Sequence, residues 1–428
     1  MPIKPSKASS ARKRRWNAPP PLTRGTETIE GEEILDEVEG SAGVLLWQTI
    51  RNVSLWTATE GKSRGELFVG TAAEQRRKAA KKAKLESAVR EPLEALSQLL
   101  ESPGGIRPRE VAAASTRIAE WALERELPAT AQIYMQAAAL ATPRSAELAL
   151  RVGLISRSRR QFARAESWFR QAITLGRQTG AWPAYTLSYV ELSELQARRG
   201  SVGEARRSLI KAMRAARRKG LTAEEARALH ALQRVSALLG RYDDAESYAR
   251  LVFDVYGDDH PDVARLTRDV AFGRILAGSY ETALPLLRAL EPLAADPAER
   301  LLIDGHLARA AAGLRKGGEF EAAAKRVHDA VDASPDLPGA PAALLDVAHG
   351  ASLLGKWAVA RKTAGRAAEL AQERLELRIS QEATALAEAA REKKTLNVHH
   401  DTRDQEKPFE DRLLETLGAS EKLATPTR

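Results

Sequence analysis

Residues 241–287 read RYDDAESYAR LVFDVYGDDH PDVARLTRDV AFGRILAGSY ETALPLL. A phrase that begins one residue earlier, GRYDDA at 240–245, returns as GSYETA at 278–283. Each copy combines a glycine that can end a helix, an aromatic residue and, three residues further on, an alanine. Ala245 and Ala283 therefore mark equivalent positions of a repeated unit.

The same alanine position can be followed in both directions, at intervals of 34, 40, 40, 38, 40 and 37 residues. The residues four and seven positions after each alanine are apolar, so all three share one face of a helix. Small residues on that face let a neighbouring helix approach closely. A near-fixed period in this range is typical of stacked helical hairpins. The predicted packing alanines are Ala131, Ala165, Ala205, Ala245, Ala283, Ala323 and Ala360.

Five of the seven units also carry a glycine five residues before the alanine, where it is expected to end the preceding helix. These glycines are Gly200, Gly240, Gly278, Gly318 and Gly355. Gln233 takes the place of a small residue in the fourth unit, and a proline follows the second helix only at Pro143 and Pro335. We expect these departures to lengthen turns without changing the fold.

The pattern resembles the tetratricopeptide repeat (TPR), a pair of antiparallel helices with small residues at their crossing. The best unit, residues 146–177, has Gly153, Phe162, Ala165, Phe169 and Ala172 in place. The loop at 256–264, YGDDHPDVA, is similar to the longer kinesin-light-chain-like variety of bacterial arrays. The resemblance covers about residues 108–375. It implies an all-α fold, a right-handed superhelical solenoid of about seven helix pairs; an unpatterned alanine-rich bundle is the alternative.

The flanking segments suggest caps and tails around this array. An acidic run at 27–39 is either a solvated linker or a peptide that docks on a basic surface, such as the protein's own. The tryptophan-containing segment after it either covers the open end of the array or docks a partner. We expect a disordered tail, basic then acidic, at 1–41; a helical cap at 42–107; the solenoid at 108–375; a capping helix at 376–394; and a flexible tail with a possible short amphipathic helix at 395–428.

Composition limits the possible functions. The chain has 428 residues, a net charge of +9 and no cysteine, so it has neither a disulfide framework nor a thiolate metal site. No signal peptide follows the basic start of the chain, and no apolar run is long enough to span a membrane. We therefore expect a protein of the bacterial cytoplasm with no membrane association.

Residues that could carry chemistry are not grouped in the sequence. The seven histidines form no spaced ligand set, and serine and histidine form no triad signature. Gly61-Lys62-Ser63 lacks the earlier glycine of a phosphate-binding loop, since Trp56 stands there. The sequence thus predicts no catalytic residue, no metal ligand and no cofactor.

The inner surface of the array is the predicted binding site, because the first helix of each pair lines that side in TPR arrays. Guanidinium groups there could bind carboxylates bidentately. The alternative is that these arginines pair with glutamates on adjacent helices. The predicted peptide-binding residues are Arg198, Arg227, His230, Arg234, Arg265, Arg268 and Phe272.

The sequence therefore favours a non-catalytic scaffold or adaptor that binds a protein or peptide, with an acidic segment as the expected partner. One alternative is a regulatory peptide sensor that acts through a transcription partner. Another is a basic nucleic-acid-associated protein, with contacts from residues 1–25 and 71–90. Nothing in the sequence specifies the partner, the pathway or the oligomeric state.

Overall fold

The structure is a computed structural model that describes residues 31–59, 61–68, 71–83, 85–396 and 408–424. Within these ranges the regular elements are helices and no strand occurs, so the expectation of an all-α fold is confirmed. Expectations for residues 1–30 and 397–407 lie outside the described residues. Two compact units divide the chain, Met1–Ala181 and Trp182–Arg428.

The described residues of the first unit form eight α-helices, of which the last four form two antiparallel pairs, α5 with α6 and α7 with α8. A 3₁₀ helix at Gly61–Glu66 separates α2 from α3. The helices are α1 (Glu33–Glu37), α2 (Gly40–Ala58), α3 (Thr71–Lys82), α4 (Ser87–Glu101), α5 (Pro108–Glu124), α6 (Pro128–Ala141), α7 (Ala146–Ser158) and α8 (Phe162–Thr179).

The second unit contains five further pairs in chain order, α9 with α10 through α17 with α18, followed by two single helices. The two units together therefore hold the seven helix pairs that the alanine spacing predicts. The helices are α9 (Trp182–Arg198), α10 (Val202–Lys219), α11 (Thr222–Leu238), α12 (Tyr242–Tyr256), α13 (Val263–Leu276), α14 (Tyr280–Leu290), α15 (Pro297–Gly313), α16 (Gly317–Ala333), α17 (Ala340–Leu353), α18 (Trp357–Glu373), α19 (Leu377–Arg391) and α20 (Pro408–Ala424).

The turn within each pair follows one rule. Two residues before the second helix begins, the backbone takes a left-handed conformation, supplied by Gly240 (φ 70°) or Gly278 (φ 80°) among others. In the sixth pair this residue is Arg315 (φ 59°), because α16 begins at Gly317 and Gly318 already lies inside it. The predicted helix break at Gly318 is therefore three residues too late, and α16 gains an extra turn ahead of Phe320.

Small residues lie where the helices of a pair cross. All seven alanines of the repeat are buried, with at most 5% of their surface exposed. At Gly153 on α7, an added Cβ would stand 2.5 Å from a ring carbon of Phe169 on α8, so no larger residue fits there without moving the ring. The side-chain sizes in the repeat thus set how closely the helices approach.

The acidic run of the N-terminal segment docks on the first unit through residues that the structure describes. Glu37 accepts hydrogen bonds from the backbone N–H groups of Ala129 and Thr130, both at 2.7 Å, at the start of α6. A carboxylate is stabilised there by the unpaired N–H groups and the dipole of the helix. Glu33 pairs with Arg159 at 3.1 Å. Part of the range expected to be a tail is thus a short helix packed on the array.

Candidate peptide-binding surface on the first helices

The first helices of the five pairs in the second unit, together with α19, lie side by side. Along the chain, α9 contacts α11, α11 contacts α13, and the series continues through α15 and α17 to α19. The last helix of this series, α19, also contacts the first one, α9. The first helices of this unit therefore close into a ring of six, with the second helix of each pair packed beside it.

Each contact in this ring holds a basic side chain next to an acidic one. We call this set the charged ring, and its members come from neighbouring helices or, for Glu376, from the residue before α19. The pairs are Arg234 with Glu194, His230 with Asp269, Arg268 with Glu299, His306 with Asp346, His349 with Glu382, and Arg198 with Glu376.

Asp269 is the buried centre of one half of the charged ring. Its Oδ1 accepts two hydrogen bonds from Arg268, at 3.1 and 2.9 Å, and its Oδ2 lies 3.2 Å from His230 Nε2. Burial by itself would raise the pKa of Asp269, but the charges of Arg268 and Arg234 and the contact with His230 hold it well below its ordinary value. The carboxylate therefore stays charged and joins α13 to α11.

Asp346 has the same role in the other half. His306 Nδ1 lies 2.7 Å from its Oδ2, and Arg309 donates to its Oδ1 at 3.0 Å. Burial would raise the pKa of Asp346, yet His306 and Arg309 together lower it far below the usual range for an aspartate. Phe272 lies over His306 with ring centroids 4.8 Å apart, which fixes the imidazole from the opposite side.

The third histidine couple joins α17 to α19. His349 Nε2 lies 3.2 Å from Glu382 Oε1, while Arg378 donates to Glu382 Oε2 at 2.9 Å. Burial lowers the pKa of His349, and the charge of Arg309 lowers it further, in spite of the opposing effect of Glu382. The neutral imidazole is therefore the favoured form in this contact.

The predicted peptide-binding residues divide into two groups. Arg198, Arg234 and Arg268 each meet an acid of another helix or its cap, as the alternative interpretation expects, and His230 is buried against Asp269. Phe272 is half-buried in its stack on His306. The remaining two arginines are exposed.

Arg227 on α11 and Arg265 on α13 are both exposed, and their positive charges act on the hydroxyl of Tyr256, which lies 3.4 Å from His230 Nδ1. Burial raises the pKa of Tyr256 and Asp262 adds to the shift, while Arg265 and Arg227 oppose it by their positive charge. Arg265 also pairs with Asp262 at 3.1 Å. The Tyr256 ring stacks on His260 with centroids 4.0 Å apart and planes 4° apart. This corner, which we call the Tyr256 corner, presents two cations next to the charged ring.

Sequence reasoning missed five acids of the charged ring: Asp269, Glu299, Asp346, Glu376 and Glu382. For Asp346 and Asp269 the signal is a separation of about one repeat from a basic residue, 40 residues from His306 and 39 from His230. Opposite charges one period apart on equivalent helices are the pattern that would have found them.

Two negative findings apply to the described residues alone. In these ranges, no cluster of three or more histidine, cysteine or acidic side chains is arranged to hold a metal ion. Among the described helices, none is both long enough and apolar enough to cross a membrane.

Comparison with known proteins identifies the fold. No family model and no curated protein sequence matches the chain. A solved structure of a Rap protein complexed with competence and sporulation factor has a TM-score of 0.51 and 13% identity, over 79% of this chain and all of that one.

Weaker similarity extends to aspartyl phosphate phosphatase F from Bacillus subtilis, with a TM-score of 0.43 and 11% identity over 91% of this chain and 100% of that one. A signal-transduction ATPase with a tetratricopeptide repeat sensor from Pyrococcus horikoshii has a TM-score of 0.43 and 17% identity, over 75% of this chain and 55% of that one. The helix pairs and the Rap comparison together show that this chain has a TPR-like helical repeat fold.

Proposed function

We propose that the protein is a non-catalytic binding protein of the cytoplasm, whose second unit holds a short acidic peptide segment of a partner. The observation that supports this most directly is the Tyr256 corner, where Arg227 and Arg265 are exposed on adjacent first helices. A carboxylate there would meet two guanidinium groups and the Tyr256 hydroxyl. The Rap protein of similar fold, which is complexed with competence and sporulation factor, is a precedent for this fold holding a bound factor.

The charged ring supports a binding role over a catalytic one. Its histidines and carboxylates are engaged with one another across helix contacts, with His306 and His230 buried at 5% exposure each. Groups held in this way fix the spacing of the first helices, so they shape a surface without offering a free base. Ligand contact then falls to exposed groups at the edge of the ring, which is where Arg227 and Arg265 lie.

Selection from a random peptide library tests this proposal. Full-length protein is used as bait, and enriched peptides are measured by fluorescence anisotropy against wild type and the variant Arg227→Glu/Arg265→Glu. We expect the enriched peptides to carry carboxylates. We expect them to bind the Arg227→Glu/Arg265→Glu variant about tenfold or more weakly than wild type, since a charge-assisted hydrogen bond contributes about 1.5–3 kcal/mol.

The matched control is Arg315→Glu/Lys316→Glu, which reverses two exposed cations in the turn before α16. It changes the net charge by the same amount as the Arg227/Arg265 variant but does not alter the Tyr256 corner. It should therefore leave the affinity for the peptides within about twofold of wild type. Equal affinity for wild type and the Arg227/Arg265 variant, or enrichment without any preference for acids, would contradict the proposal.

A further inference from the structure

The outer face of α10 carries the densest positive charge on any single helix of the second unit. Its 18 residues include seven basic side chains and one acid, Glu204. Two of the seven are neutralised across helices, Arg206 by Asp244 at 3.1 Å and Arg217 by Glu225 at 2.7 Å. The other five remain on the exposed side of the helix: Arg207, Lys211, Arg214, Arg218 and Lys219.

Four of these cations form a straight row. Arg207, Lys211, Arg214 and Arg218 follow one another at steps of four, three and four residues, so they lie on one stripe of the helix. At about 1.5 Å of rise per residue the row is about 16 Å long. Of the four, Arg207 lies 3.7 Å from Glu204, and no other described acid forms an ion pair with the row.

Aromatic rings lie beside the row on the adjacent helix α9. Lys211 stands 5.8 Å from the ring centroid of Tyr189, and Lys219 stands 4.5 Å from that of Trp182. These contacts hold the lysine stems against the surface while their charges remain in water. Lys211 of the row is therefore held beside an aromatic ring that does not neutralise its charge.

The apolar side chains of α10 pack toward the core and give a protein partner no exposed anchor on this helix. Leu209 is fully buried, and Ile210 and Met213 are partly buried against the core of the unit. A protein–protein interface ordinarily centres on exposed apolar or aromatic anchors, and this face offers none on α10. The row itself therefore offers a ligand positive charge and N–H donors, and a phosphate backbone is a ligand of that kind.

We propose that the row Arg207–Lys211–Arg214–Arg218 is a binding surface for the phosphate backbone of nucleic acid, without sequence preference. One strand of duplex DNA places a phosphate about every 3.4 Å along its axis, so the length of the row matches the axial rise of about five phosphates. This surface differs from the Tyr256 corner in both residues and ligand, and it does not depend on the peptide-binding proposal.

Fluorescence anisotropy with a labelled oligothymidine and a labelled mixed-sequence duplex tests the proposal on the full chain. The row variant is Arg207→Gln/Lys211→Gln/Arg214→Gln/Arg218→Gln. At about 50 mM salt it should bind at least about tenfold more weakly than wild type, and the slope of log K against log salt should fall by about three. The two probes distinguish single-stranded from double-stranded ligand.

A control with the same change in charge removes four exposed cations elsewhere in the unit: Lys325→Gln/Arg361→Gln/Lys362→Gln/Arg391→Gln. It should bind within about twofold of wild type, because a phosphate-contacting row acts through position and not through net charge. Circular dichroism confirms that both variants keep their helices. Labelled polyglutamate tests whether the row binds an acidic peptide in place of nucleic acid.

Three results would overturn the proposal. The first is that neither nucleic-acid probe binds wild type at low salt. The second is that the row variant and the control lose affinity equally. The third is that polyglutamate binds through the row while both nucleic-acid probes do not, which would assign the surface to an acidic protein.

Discussion

Arg274 and Glu410 form a buried ion pair between residues 136 positions apart in the chain. Arg274 Nε donates to Glu410 Oε1 at 2.6 Å, and the same guanidinium donates to Glu246 at 2.8 Å. The pair holds α20 against the second unit, where Phe409, Leu413 and Leu417 are buried. This buried ion pair thus lies beneath a helix that is also attached by apolar side chains and by a hydrogen bond from Thr416 to Asp258 at 3.1 Å.

Replacing Glu410 with glutamine should loosen α20 selectively. Arg274 keeps Glu246 but loses a charged partner in a buried site, which costs about 1–3 kcal/mol. Hydrogen exchange followed by mass spectrometry should show amides of α20 exchanging about tenfold faster or more, with little change in α15 to α18. Glu415→Gln, an exposed change on the same helix, is the control and should leave exchange unaltered. Equal exchange of α20 in the two variants would show that the ion pair does not hold the helix.

The helix pairs could be predicted from the sequence because their determinants are local and periodic. Ala245 and Ala283 recur with the same neighbours at a fixed distance, and a helical repeat of that length has few other folds available. The sixth turn was misplaced because Gly318 resembles the turn glycines, whereas the left-handed residue is Arg315. A non-glycine residue in that conformation leaves no mark in the sequence.

The charged contact that closes the ring could not be predicted, because it depends on which helices meet. Arg198 and Glu376 are 178 residues apart, and their contact requires the ring of first helices to close. Helical arginines are ordinarily solvent-facing, so neither residue type nor spacing separates Arg268, which is buried, from Arg265, which is exposed. Only the positions of adjacent helices distinguish the two.

Enlarging one alanine of the repeat should destabilise the array. Ala323→Leu places a larger side chain at a helix crossing where 3% of the alanine surface is exposed, and overpacking of this kind costs about 1–3 kcal/mol. Ala322→Leu, at the preceding exposed position of α16, makes the same chemical change on the solvent side. Urea denaturation should show a lower midpoint for the first variant alone. Matching midpoints would mean that Ala323 does not mark a crossing.

The pH dependence of stability should reflect Asp346. Its pKa is lowered in the folded state, in which burial is outweighed by His306 and Arg309. A lowered folded pKa gives stabilisation that is present above the ordinary aspartate value of 3.8 and is lost as the pH falls below it. Thermal melts from neutral pH to about pH 3 should therefore show the beginning of an acid loss in wild type.

Asp346→Asn should reduce this dependence. At neutral pH it leaves Arg309 buried without its charged partner and should cost about 3–5 kcal/mol. Between neutral pH and about pH 3 the variant should lose less stability than wild type, because it has no carboxylate to protonate at this site. Asp329→Asn, an exposed change on α16, should follow the wild-type curve. An equally steep acid loss in Asp346→Asn would place the acid-sensitive group elsewhere.

Closure of the ring of first helices can be tested at Arg198 and Glu376, whose Nη1 and Oε1 atoms are 2.9 Å apart. The Arg198 side chain is 37% exposed and Glu376 13%, so solvent screens the pair and a coupling of about 0.5–1 kcal/mol is expected. Arg198→Glu and Glu376→Arg should each lower the urea midpoint, and the double variant should recover most of the loss. Exchanging Glu166 and Arg170, an ion pair within α8, is the control, because it bridges no two helices and should change little. If the double variant at 198 and 376 is no more stable than the sum of its single changes predicts, α9 and α19 are not joined by this pair.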